Sequence, residues 1–257
     1  GGTHAGTFSV AAGAHIDFAG GTHQFADGSH FAGAGSFART NGQLLLVGSG
    51  NGTTIAPDAT LDLNTMAFAG SGTLTNAGTV VGTAGAVIPG DFINLGSGTA
   101  TLADSTIGGS LFNRGSFIVA GIDRVNGPVI QQLGGNMLVP GGTKLDMTHP
   151  AGNFSWVDGT IGGTGTLSFS GGGTFQFAGT GDRIIDGMNF EFNNLTLPNG
   201  SLSVRAGSLT LTGTTTIPDQ VALNLTGGTL VNNSQLNVAG AFNLNAGNFT
   251  GSGGITM

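Results

Sequence analysis

Cysteine and tyrosine are absent from this 257-residue chain, and charged residues make up only 7% of it. Without cysteine no disulfide framework holds the fold, so a chain of this length must rely on its own apolar core. The six basic residues, Arg39, Arg114, Arg124, Lys144, Arg183 and Arg205, are scattered. No basic patch exists to neutralise phosphates, which argues against nucleic acid as a partner. The scarcity of Lys and Glu also argues against amphipathic helices, whose outer faces carry such residues. The longest strongly apolar run, Leu44-Leu45-Leu46-Val47, is far too short to span a membrane, so no membrane insertion is expected. The opening residues do not read as a leader segment. It begins at Gly1 and closes inside a repeat, and reads as a segment of something longer.

What the chain has in excess is glycine, 51 residues, without a Gly-X-Y period that would make it collagen. Disorder is excluded by the 39% hydrophobic content and by 17 phenylalanines. The apolar residues alternate with Thr, Ser and Asn, as in half-buried strands. Short strands are expected at Thr7–Val10, His15–Phe18, Thr22–Phe25, Leu44–Val47, Thr166–Phe169, Thr174–Phe177, Ser201–Val204, Ser208–Leu211 and Gln235–Val238. The gaps between neighbours leave no room for crossover helices.

A repeat chooses among the all-β folds. Phe31-Ala32-Gly33-Ala34-Gly35-Ser36-Phe37 returns 37 residues later as Phe68-Ala69-Gly70-Ser71-Gly72-Thr73-Leu74, with looser copies at Phe177–Gly181 and Phe249–Ile255. Gly-[Ser/Thr]-[Leu/Phe] recurs throughout, for example at Gly6, Gly35, Gly72, Gly109, Gly165 and Gly207. A fixed period means stacked units. The sequence therefore predicts an all-β parallel β-helix (β-solenoid) of about 14 short coils, each roughly 18 to 19 residues. Phe8, Phe18, Phe25, Phe169, Phe175 and Phe177 are expected inside. The Asn of Leu74-Thr75-Asn76, Leu111-Phe112-Asn113 and Leu230-Val231-Asn232 is expected to stack at coil corners as a hydrogen-bonded ladder. Three Xaa-Pro pairs, Gly127-Pro128, Val139-Pro140 and His149-Pro150, interrupt the pattern. They suggest one continuous solenoid with a first half at 1–118, an irregular loop or seam at 119–150, and a second half at 151–257.

Reactive side chains are few. His15, His23 and His30, with His4 just before, could offer zinc three imidazoles if brought to one face, but their spacing points to different sides of a coil. Asp182, Asp186 and Glu191 lie near Arg183, and paired carboxylates are what glycoside hydrolysis needs. Both aspartates sit among turn glycines, where Asp is ordinary, and Asp58, Asp62, Asp123 and Asp158 also read as turn residues. No calcium loop or nucleophile elbow is present. Glycosylation signals occur at Asn51, Asn153, Asn194 and Asn248. A threonine row of the kind that binds ice is approached only at Thr210, Thr212, Thr214, Thr215 and Thr216. No catalytic residue, metal ligand or cofactor is assigned on these grounds.

Ser155-Trp156-Val157-Asp158-Gly159-Thr160-Ile161-Gly162-Gly163-Thr164-Gly165-Thr166-Leu167, followed by Ile185-Asp186-Gly187 and the Asn-Leu-Thr-Leu of Asn194–Leu197, resembles the glycine-rich repeats of large bacterial surface proteins. These are the autotransporter passengers and filamentous-haemagglutinin-like exoproteins. The resemblance implies a right-handed coil, export to the cell surface, and adhesion or stalk duty; with no convergent reactive groups, no catalysis is expected. Partners would be neighbouring repeats, copies of the same chain, or a host-surface or matrix glycan or protein. The alternatives are a self-assembling extracellular fibre subunit and a polysaccharide-binding or -cleaving β-helix.

Overall fold

The structure, a computed structural model, describes residues 1–48, 50, 52–63, 68–83 and 85–257. The chain winds as a parallel β-solenoid of about 12 turns. Each turn lays down up to three short strands, one per face, and every ladder joins a strand to the turn below or above it in parallel. Parallel pairing ordinarily needs a helical crossover. Here the other two faces of each turn serve as the crossover.

Strand alternation sets what lies inside. On the second face one inward column is unbroken through the whole molecule: Ile16, Phe37, Leu61, Val80, Ala100, Phe117, Met137, Ile161, Ile185, Val204, Leu225 and Leu244. From Phe37 to Leu225 these side chains are buried, each contributing about 1–3 kcal/mol through apolar area removed from water. On the first face an inward column changes character along the axis. It reads Phe8, Phe31, Ile55, then Asn76, Asn94, Asn113 and Gln132, then Trp156 and Phe177.

The amide segment is the predicted ladder. Asn76 Nδ2 donates to Asn94 Oδ1, Asn94 Nδ2 to Asn113 Oδ1, and Asn113 Nδ2 to Gln132 Oε1, each at 2.8 Å. The second hydrogen of each asparagine amide reaches the carbonyl of Thr99, Ser116 or Asn136. All four amides are buried, and burial is tolerable because every donor is spent. Asn232 does not belong to this ladder. It lies at another corner, where Nδ2 donates to the Gly254 carbonyl at 3.2 Å.

Three expectations change on inspection. The turns are fewer than 14 because several are long. Asn76 and Asn94 are 18 residues apart, but Thr7 pairs with His30 and His30 with Thr54. The Phe-Ala-Gly motif marks corners, not a period of two coils. Phe31–Phe37 and Phe177–Gly181 turn from the first face to the second, whereas Phe68–Leu74 and Phe249–Ile255 turn from the third to the first. Glycine is needed there for close stacking: Gly33 has φ +85° and a Cβ on it would overlap the Val10 carbonyl. Finally, residues 119–150 carry Ile122–Val125, Val129–Leu138 and Lys144–Met147, all laddered to the turns on both sides. Irregularity there is a bulge at Leu133, and the prolines sit at corners between strands.

The larger irregularity comes later. On the third face, Thr166–Ser168 ladders only to Lys144–Met147 below it, and the next strand on that face, residues 189–193, ladders only to residues 208–212 above it. On the first face, Thr174–Phe177 pairs only downward, and the residues above it meet only Thr216. Across this fault the second face alone stays continuous. A shorter gap on the third face separates Phe68–Gly70 from Val87–Ile88, beside residues outside the described set.

Candidate functional site

The fault gathers a dense set of rings and, among the described residues, the one fully buried basic side chain, Arg183. Two turns that splay leave more interior to fill, and here large rings fill it. Phe175 stacks on Phe154 at 5.1 Å and meets Phe190 and Phe192 at 5.6 and 5.5 Å. Trp156 lies 5.8 Å from Phe177 and 6.0 Å from Phe190. Such ring pairs each add about 0.5–1.5 kcal/mol beyond their area. Of the six phenylalanines expected inside, Phe18 and Phe25 are buried. Phe169, Phe175 and Phe177 pack on the core but stay half-buried at the fault, and Phe8 does so in the first turn.

Arg183 occupies the inward column between Gly159 below and Leu202 above. Its Nε donates to the Trp156 carbonyl at 3.0 Å. The terminal nitrogens donate to the carbonyls of Ala178, Gly179, Asn199 and Ser201. Thus the guanidinium ties three successive turns together where backbone ladders are missing. Burial pushes its pKa down, and the nearby Asp158 and Asp182 push it back up. Neither carboxylate forms an ion pair with it.

The wall of the fault on the third face opens as a cleft of about 290 Å³, lined among others by Leu167, Phe169, Phe175, Phe190, Glu191 and Phe192. Four rings share its lining with Thr166, Asn189 and the exposed Glu191.

The expected acidic group does not converge. Asp182 and Asp186 face outward on the second face, and Glu191 lies around the corner on the third. Asp182 accepts from Ser201 Oγ at 2.7 Å. Asp186 pairs with Arg205 at 2.5 Å, and that hydrogen bond holds its pKa below the ordinary value. The histidines are also dispersed. His4 and His23 meet with ring nitrogens 3.0 Å apart and rings nearly parallel. Burial and then the charge of His23 lower the His4 pKa. His15 and His30 project outward from strands on two other faces. Among the described residues no three His, Asp or Glu side chains are placed to hold a metal.

Other candidates fall as follows. Asn194 and Asn248 are exposed and Asn153 is half-buried, while Asn51 lies outside the described residues. Thr210 stacks between Glu191 and Val231, so no threonine row forms there. A hydroxyl column does run elsewhere, on the outer second face, through Ser36, Thr60, Thr79, Thr99 and Ser116.

Asp123 is not a turn residue. It points into the core from Ile122–Val125, is 1% exposed, and accepts from Ser105 N–H at 2.7 Å through Oδ1. Its Oδ2 is buried with no partner. Burial raises its pKa to about 7, against the lowering effect of the Ser105 hydrogen bond. The signal was present in the alternation, since Asp123 shares parity with the inward Val125. Arg183 likewise shares parity with the inward Ile185.

Comparison of the chain with protein-family models, with curated proteins and with solved structures finds no match in any of the three.

Proposed function

We propose that the chain is a structural and adhesive rod segment of an exported bacterial surface protein, working outside the cell or at its surface. The observation that carries this reading is the uninterrupted inward column from Ile16 to Leu244, a device for building length and stiffness. The dispersal of Asp182, Asp186 and Glu191 and of His4, His15, His23 and His30 over several faces supports it, since catalysis requires convergent groups. In this reading the chain performs no catalysis and binds no cofactor. Its resemblance to glycine-rich surface repeats supports export and attachment.

The test is display of the chain on a bacterium between a membrane anchor and an epitope. The expected result is an epitope that stays accessible above the surface polysaccharide layer and cells that attach better to a matrix-coated surface. A displayed chain that neither projects the epitope nor changes attachment overturns the reading. New reducing ends released from neutral or acidic polysaccharides would instead establish the cleaving alternative.

A further inference from the structure

The fault presents two parallel strand edges that face each other without meeting. The turns touch at both ends of the opening. Gly163 N–H donates to the Asp186 carbonyl at 2.9 Å at one end. At the other, Ser201 N–H reaches the Gly181 carbonyl at 3.4 Å. Between these points Thr166–Ser168 and residues 189–193 form no ladder with each other, although each is laddered on its far side. Their near sides carry unspent backbone donors and acceptors, which is the template on which an extended chain pairs. Phe169, Phe175, Phe190 and Phe192 put four rings into the lining of the opening, beside the polar Thr166 and Asn189. Glu191 stands exposed at the rim with no ion pair among the described residues, on a chain of net charge −7.

We propose that this cleft is a docking site for one extended peptide strand from a partner protein. Its apolar residues face the phenylalanines, and an alternating Lys or Arg faces outward beside Glu191. The backbone edges select an extended main chain over a globular surface. The ring floor selects apolar side chains at every second position. The carboxylate selects the sign of the charge between them. This site goes beyond the rod reading and stands or falls independently of it.

The probe is an end-blocked heptapeptide alternating valine and lysine, added to the intact protein. Trp156 is the chain's single tryptophan and packs on Phe177 and Phe190, so its fluorescence reports filling of the cleft. The expected result is saturable fluorescence change with slowed amide exchange confined to 166–169 and 189–193. Binding should weaken several-fold, as reversal of an exposed charge beside the peptide's lysines entails, on Glu191→Lys, an exposed change that leaves the fold intact. It should vanish for a peptide with N-methylated alternate amides. Three results would overturn the proposal. One is no binding by the peptide, with normal amide exchange at both strands. Another is binding indifferent to N-methylation. The third is protection of the same strands by a neutral oligosaccharide such as cellohexaose but not by the peptide, which would make the cleft a glycan site.

Discussion

Arg183 Nε donates to the carbonyl of Trp156, 27 residues earlier and one turn below, at 3.0 Å. That bond crosses the fault's lower edge, and the terminal nitrogens cross its upper edge to Asn199 and Ser201. A guanidinium offers five donors in a fixed plane, which suits carbonyls arriving from several directions. Replacing it with methionine keeps much of the volume but removes those hydrogen bonds, while the Trp156 carbonyl keeps the Ala178 N–H at 2.9 Å. We expect Arg183→Met to destabilise the protein by about 1–3 kcal/mol for each carbonyl left without a donor. Arg183→Lys should recover little of this, having three donors in place of five. Urea titration measures both, and proteolysis should cut the variants first near 178–200.

The amide ladder makes a prediction with a pH signature. In Asn94→Asp a carboxylate can still accept from Asn76 but turns an oxygen toward Asn113 Oδ1, where Asn94 donates now. At neutral pH the variant should lose about 1–3 kcal/mol for each group left unpaired. The folded-state pKa of the new carboxyl is raised, so stability should return as pH falls and the acid becomes a donor. Stability measured at pH 7 and pH 4 distinguishes this from a loss that is indifferent to pH.

Asp123 gives the wild-type protein a pH dependence of its own. Its folded pKa, about 7, lies above the unfolded value near 4. The native state therefore binds the proton more tightly, and this contribution to stability is full below about pH 4 and lost as pH rises through 7. Asp123→Asn should remove the dependence and be the more stable form at pH 8, by at most about 4 kcal/mol at 1.36 kcal/mol per unit. Thermal unfolding from pH 4 to 8 follows it. Parallel curves for both proteins would show that Asp123 ionises freely in the fold.

Register predicts which deletions the rod accepts. Asn94 and Asn113 are 19 residues apart in equivalent positions. Removing residues 94–112 should set Asn113 on Asn76 and leave a shorter solenoid that unfolds cooperatively. Removing only 94–102 joins the first face to a corner leading to the third and should abolish the fold. Circular dichroism and scattering of the two deletions decide the matter.

The fold was legible because each turn must hide alternate residues and bend at small ones, and both demands are local. Thr22–Phe25, Thr174–Phe177 and Gln235–Val238 are strands at the bounds expected. The ladder of Asn76 and Asn113 was legible for the same reason, though Asn94 and Gln132 were missed because no leucine-x-asparagine frame surrounds them. The 37-residue repeat misled because one corner motif serves two unlike corners, so its spacing does not measure a turn. The fault was not legible at all. Thr166–Ser168 has ordinary alternation, and its lack of an upper partner depends on how turns before and after it stack. Arg183 looked like a member of an acidic surface group because Asp182 and Asp186 flank it, although its parity with Ile185 already put it inward, between Gly159 and Leu202.

The central claim is that this chain works through its length and surface, with no single reactive group essential. Attachment of bacteria displaying the wild-type chain should be compared with that of His15→Ala, His30→Ala, Asp182→Asn and Asp186→Asn, each checked for native circular dichroism. The account predicts that all four attach to a matrix-coated surface as the wild type does. Loss of attachment from any one of them, with the fold intact, would contradict it.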